Sequence, residues 1–447
     1  MSPTETLGRY KSYPAYKDSG VDWLGLIPAH WNVRRLKYLA AINPEALGED
    51  TDPTRELLYL DIGGVDGLGR IGPLEALAFA SAPSRARRVV RDRDVIVSTV
   101  RTYLRAIAAI DNPDPRFVVS TGFAVVRPSE GVDSRFVAYS LRAPYFVERV
   151  VANSTGVSYP SINETELATF ELSIPPSTEQ RRIVSFLENK TLAIDALIEK
   201  NARLIVRLRE QINTRIEAIL LRGLDPSSPR RESGAQWLGR VPSHWAVERI
   251  KWCAKLVSGH TPDKKIESYW RGGDVPWLSL ADTNRLREND YLDSTSVYTT
   301  ADGLANSSAH VLPVGTVVFS RDASVGLCGI TRVGMAVSQH FIGWICGPRL
   351  LPEYLLFVLR AMTAELERLT MGATVKTIGM SDVKSLITPV PPVAEQRQIV
   401  GEVFAQRSQL DASIKTATQA IAKLKELRAA LTSAAVTGQI DVREEVA

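Results

Sequence analysis

The amino-acid sequence predicts an α+β fold in which two globular mixed α/β domains are separated and joined by two long helices forming an antiparallel coiled coil. The first observation is a repeat: residues 20–40 and 234–254 match at eleven of 21 positions. The second is that the segment PPSTEQRRIV, starting at Pro175, returns as PPVAEQRQIV at Pro391. The third is a long helical pattern after each copy. This order indicates an internal pseudo-two-fold repeat.

The repeats divide the chain into four segments. Residues 1–174 form the first domain and residues 175–223 the central spacer helix; residues 224–388 form the second domain and residues 389–447 the C-terminal spacer helix. We therefore expect each domain to fold around its own core, because segments of this length are typical of single domains.

Each domain combines apolar runs of strand length with one helical pattern. Strands are predicted at 94–100, 105–110, 117–126, 316–320, 329–331 and 341–346. Helices are predicted to follow them at 134–151, with an interruption at Pro144, and at 352–370. The two domains thus share a plan, although their sequences between the repeats are only faintly alike.

Each spacer carries apolar residues at the three-and-four spacing of a heptad seam. The predicted seam residues are Ile183, Leu187, Ile194, Ile198, Ile205, Leu208 and Ile212 in the first spacer, and Ile399, Val403, Leu410, Ile414, Ile421 and Leu424 in the second. At about 1.5 Å per residue, the first helix would be on the order of 66 Å long. Such a seam needs a partner to bury it, and the other spacer is the obvious one.

The helix ends also carry recognisable sequence features. Ser177 with Gln180 predicts a capping box at the start of the first spacer. Gly223 and Gly438 predict left-handed C-caps at the two helix ends. Only residues 224–236 separate the first helix from the repeated Trp-Leu-Gly motif of the second domain, which is too short for a long return connection. An antiparallel pair is therefore expected.

Composition narrows the class of protein. A net charge of +4 and a pI near 8.8 permit a nucleic-acid partner without demanding one. The three cysteines, Cys253, Cys328 and Cys346, are too scattered for a disulfide framework or a zinc site, so we expect inert thiols. No 18 apolar residues run together, and we expect a cytoplasmic protein without a membrane partner.

One stretch resembles a cofactor loop. Residues 57–69, LLYLDIGGVDGLG, suggest a strand that runs into a glycine-rich turn. However, no GxGxxG is complete within residues 57–69, the counterpart at 275–284 has no glycine, and the chain has no GxxxxGK[ST] phosphate loop. A plain strand and turn is the favoured interpretation.

The repeated histidines have a structural interpretation. His30 and His244 each precede a tryptophan, Trp31 or Trp245, inside the repeated segment. A catalytic or metal-binding histidine would need companion residues, and the sequence offers none. We therefore predict a shared packing role.

Both domains carry clustered cations and hydroxyl groups that suit a DNA surface, because guanidinium groups match phosphates and guanine edges. The candidates in the first domain are Arg85, Arg87, Arg88, Thr99, Arg101, Thr102, Tyr103 and Arg105. Those in the second are His260, Thr261, Lys264, Ser320, Arg321, Gln339 and His340. A solvated charged face and turn-capping hydroxyls are the alternatives for individual members.

Taken together, the repeated WLG-x-(Ile/Val)-P-x-HW opening and the PP-x-x-EQ-x-x-IV helix entry resemble the specificity subunit of a type I restriction-modification enzyme. The resemblance covers essentially the whole chain. The second domain adds SGHTPDK, VPWLSLAD and VFSRDASVG, which are similar to recurring motifs of that family's target-recognition domains. The first domain departs from them, with TVRTYLRA at 99–106 in the strand-loop position, which suggests a different target.

The resemblance implies a non-catalytic, sequence-specific DNA-binding subunit. Each target-recognition domain would read half of a bipartite, asymmetric site in double-stranded DNA, and the helices would set the spacing and hold two methyltransferase subunits. No cofactor would be bound by this chain: S-adenosylmethionine, ATP and Mg would belong to the methyltransferase subunits and to separate restriction (motor-nuclease) subunits. The alternatives are a self-sufficient DNA methyltransferase that uses residues 57–69, and a coiled-coil scaffold whose domains bind protein.

Overall fold

The computed structural model describes residues 7–156, 160–372 and 376–445. The chain divides into two compact units: a first unit of Met1–Leu204 with Thr416–Ala447, and a second unit of Ile205–Lys415. Each long helix contributes one half to each unit. The helices are thus not separate segments, because their ends are built into the cores of the units.

The first unit contains twelve described strands and three short helices. The strands are β1 Tyr16–Asp18, β2 Leu26–Pro28, β3 Asn32–Arg35, β4 Ala40–Ile42, β5 Glu56–Leu60, β6 Glu75–Ala78, β7 Ala86–Val89, β8 Val95–Ser98, β9 Ile107–Ala109, β10 Phe117–Ser120, β11 Phe123–Pro128 and β12 Glu171–Ile174. The helices are α1 Ser134–Arg142, α2 Pro144–Ala152 and α3 Glu164–Leu167, and the long helix α4, Ser177–Arg222, follows them.

Three layers form the body of the first unit. One sheet has the strand order β6-β5-β10-β7 and a second has the order β4-β11-β8-β9. Along β8, Ile96 faces the core shared with the first sheet, whereas Val95 and Val97 face the core shared with α1 and α2. The near-continuous apolar run of β8 is thereby explained, since both faces of the strand are buried.

The second unit also combines strand layers with helices. Its strands are β13 Arg230–Glu232, β14 Arg240–Pro242, β15 Ala246–Arg249, β16 Ala254–Ser258, β17 Val275–Leu278, β18 Tyr291–Leu292, β19 Val297–Thr299, β20 Val317–Ser320, β21 Cys328–Thr331, β22 Ala336–Val337, β23 Phe341–Cys346, β24 Thr370–Met371, β25 Thr377–Ile378 and β26 Ile387–Val390. Its helices are α5 Ile250–Cys253, α6 Thr283–Glu288, α7 Ala301–Ala305, α8 Pro352–Ala361, α9 Thr363–Leu369 and α10 Met380–Ser385, and the long helix α11, Val393–Val436, follows. Sheets of order β16-β23-β20-β21-β18 and β19-β17-β22 form its two strand layers.

Two predicted elements are wrong in detail. The strand expected at 117–126 is two strands in different sheets, since β10 pairs with β5 and β7 whereas β11 pairs with β4 and β8. The chain turns between them at Gly122, where a Cβ would lie 2.3 Å from a side-chain carbon of Ile62. The helix expected at 352–370 is broken at the buried Met362 and ends at Leu369.

The starts of the long helices use the repeated Glu-Gln pair in the same way. In the first unit, Gln180 accepts a hydrogen bond from the backbone N–H of Asp133, the N-cap of α1, and donates one to the carbonyl of Pro175. In the second, Gln396 accepts from the N–H of Leu351, the N-cap of α8, and donates to the carbonyl of Pro391. The predicted Ser177–Gln180 capping box is therefore wrong: the Gln180 amide is engaged by other groups.

The histidine–tryptophan repeats pack against the first turn of each helix, as predicted. Glu179 accepts hydrogen bonds from Trp31 Nε1 at 3.1 Å and lies 2.8 Å from His30 Nε2. Glu395 lies 2.9 Å from His244 Nε2. A shared structural role for both histidines follows from these contacts.

The helix ends confirm the predicted glycine C-caps. Gly223 has φ +76° and Gly438 has φ +74°, a conformation that side chains rarely adopt. Gly223 lies against Trp245 in the second unit, and Gly438 lies against Trp31 in the first. Each unit therefore packs the end of one long helix beside the start of the other, around the same tryptophan.

The predicted seam residues lie on the inner sides of the helices. In the first unit, Ile183, Leu187 and Ile194 of α4 share a core cluster with Leu431 of α11, and Ile198 and Leu424 pack against it. In the second unit, Ile399 and Val403 of α11 share a cluster with Ile219–Leu221 of α4. The remaining predicted members are half-buried: Ile205, Leu208, Ile212, Leu410, Ile414 and Ile421.

Candidate nucleic-acid interface

In the first unit, the loop between β8 and β9 presents the most exposed cluster of predicted DNA-binding residues. A 3₁₀ turn at Thr102–Leu104 is flanked by Arg101 and Arg105, with φ +53° and +55°. Arg101, Tyr103 and Arg105 are exposed, Tyr103 by 52%. Two non-glycine residues held in the left-handed region indicate a loop whose shape is imposed by its surroundings. The loop thus displays two guanidinium groups and a phenol from a fixed backbone.

The second unit builds a loop of the same form between β20 and β21. The amide of Arg101 donates to the carbonyl of Pro160 at 2.7 Å, and the amide of Ala323, with φ +60°, donates to that of Lys376 at 2.9 Å. Ser98 and Ser320 each donate a side-chain hydrogen bond to the carbonyl two residues later. The same scaffold therefore carries arginines and a tyrosine in one unit, and small and acidic residues in the other.

Three predicted DNA-binding hydroxyls are buried instead. Thr99 Oγ1 donates to the carbonyl of Gly122, and Thr102 Oγ1 lies 3.0 Å from Ser154 Oγ. Ser320 is 0% exposed and donates to the carbonyl of Asp322. These side chains stabilise the loops and are buried, so their prediction as DNA-contacting residues is wrong.

The other predicted arginines of the first unit are largely engaged within the fold. Arg85 is exposed and forms an ion pair with Asp61 at 2.9 Å. Arg87 lies over the Phe79 ring at 4.5 Å, and Arg88, with 19% of its side chain exposed, pairs with Glu164. Of these three, Arg85 is the best placed to contact DNA, because 55% of its side chain is exposed.

In the second unit, the predicted polar residues gather around one cleft. Thr261 donates a hydrogen bond to Gln339 Oε1, and Lys264 Nζ lies 5.9 Å from the centre of the Trp277 ring. His260 contributes its carbonyl, which accepts from Trp277 Nε1 at 3.2 Å. Segments about eighty residues apart in sequence thus meet at this cleft, because the strand order of the sheets places them side by side.

His340 and Arg321 lie at the β20–β21 loop. His340 Nδ1 is 2.8 Å from Asp322 Oδ2, and its side chain is 36% exposed. The half-buried Arg321 guanidinium donates to the carbonyl of Ile378 at 3.3 Å. Arg321 therefore holds β25 beside the loop, and its role in the structure includes a supporting contact that the sequence did not indicate.

Two tryptophans absent from the predicted site line the same cleft. Trp270 and Trp277 meet edge to face, with ring centres 4.9 Å apart. The cleft has a volume of about 510 Å³. Trp277 belongs to the VPWLSLAD motif, so the motif pointed to it, but only the fold brings Trp270 next to it.

The glycines of residues 57–69 pack closely against neighbouring residues of the first unit. Strand β5 ends at Leu60, and a Cβ on Gly64 would lie 2.5 Å from a side-chain carbon of Leu60. A Cβ on Gly69, which has φ +81°, would lie 2.5 Å from the carbonyl of Ile107. These glycines are needed for close packing within the first unit, which weakens their interpretation as a cofactor loop.

The described residues contain no group of three or more His, Cys, Asp or Glu side chains that could hold a metal ion. Within the same part of the chain, no helix is long and apolar enough to cross a membrane. The three cysteines are free, and burial raises the pKa of Cys253 and of Cys328 to about 11 and that of Cys346 to about 12. The thiols are therefore protonated and unreactive near neutral pH, as expected.

Comparison with curated proteins identifies similar chains. The putative type I restriction enzyme MjaX specificity subunit of Methanocaldococcus jannaschii is 21% identical over 442 residues, covering 94% of this chain and 96% of that protein. The MjaIX specificity subunit of the same organism is 29% identical over 164 residues, which are 36% of this chain and 38% of that relative. The HindI specificity subunit of Haemophilus influenzae is 21% identical over 418 residues, covering 80% of this chain and 89% of that protein.

Solved structures share the fold. A chain from a study of complex assembly and conformational transition of the type I R-M system superposes with a TM-score of 0.75 at 24% identity, covering 92% of this chain and 98% of that one. The HsdS subunit from Thermoanaerobacter tengcongensis gives a TM-score of 0.56, also at 24% identity, over 93% and 98% of the two chains.

The match to a family model is the most direct evidence. The model described as "Type I restriction modification DNA specificity domain" matches residues 92–205 and 242–426, one stretch in each half of the chain. These stretches include both strand-loop positions described above and the first part of each long helix. Because they cover more than half of its length, this chain belongs to the family of type I restriction modification DNA specificity domains.

Proposed function

We propose that this chain is the DNA-recognition subunit of a type I restriction-modification complex, and that each unit reads one half of a bipartite, asymmetric site. The observation that carries the proposal is the pair of equivalent loops, β8–β9 and β20–β21. The two loops share equivalent hydrogen bonds to the backbone but expose different side chains. Two domains that recognise different base sequences require this combination. Arg101, Tyr103 and Arg105 would read one half-site, and the cleft with Thr261, Lys264 and Gln339 would lie at the other.

The long helices would set the spacing between the half-sites as an antiparallel coiled coil with a pseudo-two-fold repeat. Within the first unit, Asp195 of α4 pairs with Arg428 of α11 at 3.0 Å, and Ile194 of α4 shares a core cluster with Leu431 of α11. Within the second unit, the end of α4 packs against the start of α11. Both contacts fit one antiparallel seam, because apolar side chains recur along both helices at heptad spacing.

Partner subunits would supply the chemistry. We assign S-adenosylmethionine binding and methylation to two methyltransferase subunits, and ATP- and Mg-dependent cleavage to restriction subunits. Helix α4 exposes Leu197 by 47% and Leu204 by 46%, seven residues apart on one face and outside the seam. Large exposed apolar side chains mark protein-binding surfaces, so this face of α4 is the candidate docking site for a methyltransferase subunit.

The test is methylation by the chain assembled with a type I methyltransferase subunit. Sequencing of methylated sites should give a two-part target, and Tyr103→Ala with Arg105→Ala should relax or abolish one part only. Arg116→Ala is the matched control, since Arg116 is also exposed but lies before the start of β10, at the opposite end from Gly122 and the loop. Equal effects on both half-sites, or none, would contradict the assignment.

The same preparations separate the alternatives. A chain that transfers methyl groups from S-adenosylmethionine without a partner would support a self-sufficient methyltransferase. Sequence-independent DNA binding in the assembled complex would favour a scaffold with protein-binding units. The packed glycines of residues 57–69 argue against the first of these.

A further inference from the structure

The cleft in the second unit has the composition of a site for a planar heterocycle. Its walls include the edge-to-face pair Trp270 and Trp277 and the apolar side chains of Leu280 and Val297. At about 510 Å³ it falls within the range of small-molecule sites, about 300–1,000 Å³. Aromatic walls of this kind favour stacking with flat rings, and every nucleobase offers such a face.

A buried hydroxyl in the same cleft lacks a protein partner. Ser338 is 1% exposed, lines the cleft, and its Oγ finds no hydrogen-bond partner among the described residues. Buried hydroxyls are almost always satisfied, because an unpaired one costs free energy. Its backbone is fixed, since its N–H donates to the carbonyl of Leu278 at 2.9 Å. The hydroxyl is therefore placed to bind a polar atom of a ligand.

Polar groups at the rim complete the site. Lys264 Nζ lies 5.9 Å from the Trp277 ring centre and brings a positive charge to the opening. Gln339 and Thr261, which are hydrogen-bonded to each other, offer amide and hydroxyl groups to the same space. Amide groups recognise base edges and ammonium groups recognise phosphate, so the chemistry fits a nucleotide with its base inward.

We propose that this cleft binds a single unpaired nucleobase displaced from the DNA duplex. The proposal rests on DNA recognition by the second unit and adds that one base of its half-site leaves the stack. At the equivalent position of the first unit the hydroxyl is already engaged, because Ser120 Oγ accepts a hydrogen bond from the amide of Gly122 at 3.3 Å. Base capture would thus occur on one side of the bipartite target.

The experiment uses the full-length chain assembled with a type I methyltransferase subunit, and duplexes that carry its methylated target. Each position is mismatched in turn. A mismatched base costs less to unstack, so a complex that captures it should bind about tenfold more tightly when the mismatch lies at the captured position. The methylated base can respond as well, because a methyltransferase extrudes its own target base, but no other position should show this gain.

Two variants test the cleft itself. Trp270→Ala should remove a stacking surface and weaken binding to the mismatched duplex by about 5- to 150-fold. Ser338→Ala should weaken it by about 2- to 10-fold, yet leave the unfolding transition unchanged because the hydroxyl has no protein partner. Trp252→Ala, which removes a tryptophan that is 64% exposed and is not among the cleft residues, is the control and should keep the full gain.

The outcomes separate this proposal from the proposed function. If the wild-type complex binds its target specifically but no mismatch outside the methylated base improves binding, the base-binding assignment is wrong and DNA recognition stands. A gain that survives both Trp270→Ala and Ser338→Ala also overturns it. Free nucleosides that bind the cleft while no duplex position responds would place the ligand outside DNA, against the proposal. Loss of specific binding by the wild type would instead refute DNA recognition.

Discussion

Glu179 shows how one repeated carboxylate joins a long helix to its unit. The side chain is 6% exposed, and its Oε1 accepts hydrogen bonds from Tyr13 at 2.6 Å and from Trp31 at 3.1 Å. Burial and this contact raise the pKa of the Tyr13 phenol far above its ordinary value. The phenol is therefore a permanent donor, and the carboxylate is held by three neighbours once His30 is included.

Replacement of Glu179 by Ala should lower the free energy of unfolding of the first unit by about 3 kcal/mol, because the buried donors of Tyr13 and Trp31 lose their acceptor. Glu395→Ala is the matched change in the second unit. Its carboxylate contacts the half-exposed His244, so we expect a loss of about 1 kcal/mol or less. Urea unfolding followed by tryptophan fluorescence measures both, and equal losses would show that the buried donors contribute little.

Glu45 predicts how the first unit responds to acid. Hydrogen bonds from Arg127, and then from Arg91, hold the pKa of this carboxyl below its ordinary value of 4.5. A lowered pKa in the folded state stabilises the fold above the unfolded value, and the contribution is lost as the pH falls through the folded value. Stability should therefore be flat from neutral pH down to about 5 and decrease below about 4.5.

Urea midpoints of the wild type and of Glu45→Gln, compared at about pH 6 and about pH 4, test this directly. The variant should be less stable than the wild type at the higher pH, and the difference should shrink at the lower pH. A constant difference would mean that the carboxyl does not change its protonation on unfolding.

At the level of elements, both long helices end at a C-cap glycine, but the space around the two glycines differs. A Cβ on Gly438 would lie 2.3 Å from Pro28, whose ring cannot move aside easily. A Cβ on Gly223 would lie 3.2 Å from Trp245. Both glycines have positive φ, so a side chain would strain the backbone at either position. At Gly438 a side chain would also overlap with Pro28.

Gly223→Ala should cost about 1–2 kcal/mol from the left-handed backbone alone. Gly438→Ala should cost clearly more, about 3 kcal/mol, because a steric overlap is added to the same backbone penalty. Unfolding of the two variants in urea measures the difference. A larger loss for Gly223→Ala would contradict the packing around Gly438.

The seam makes a separate prediction about spacing. Insertion of four residues, about one helical turn, after Asn201 in α4, with a matched insertion after Thr418 in α11, should lengthen the gap between the methylated half-sites. The base sequence of each half-site should stay the same. Methylome sequencing gives both results, and changed half-site sequences would mean that the helices take part in base recognition.

At the scale of the whole molecule, the repeated contacts stabilise the fold, and the variable loops are the proposed determinants of DNA specificity. The Glu-Gln entry, the His-Trp pair and the C-cap glycine recur in both units and build the scaffold. The exposed residues of the β8–β9 and β20–β21 loops differ. Specificity would then be changed by loop residues without loss of the fold.

A loop exchange tests this division. Replacement of residues 100–105 by the corresponding loop of a family member with another target should change one half-site and leave the other unaltered. The expected readout is a new two-part methylation motif that keeps one original half. Loss of all methylation by a chain that still unfolds cooperatively would show that the loop also supports the contact with the partner subunit.

The sequence by itself determined the order of the fold and most of its boundaries. The first long helix begins and ends within two residues of its predicted limits, 175–223, because a run without proline or glycine and a terminal glycine are local features. The second long helix, Val393–Val436, occupies only part of the predicted range 389–447. The His-Trp packing and the family could likewise be predicted, since both depend on repeated motifs. Local spacing was also sufficient to place every predicted seam residue on a buried or half-buried face.

Only the tertiary structure decided which polar residues are available for binding. Thr99, Thr102 and Ser320 looked like contact residues, yet their hydroxyls bond to carbonyls or side chains that the loop closure brings close. Conversely, Trp270 and Ser338 became site residues because β17 and β22 lie side by side, although the two residues are far apart in the chain. Burial and cleft formation depend on non-local strand pairing, which residue types at local spacing do not encode.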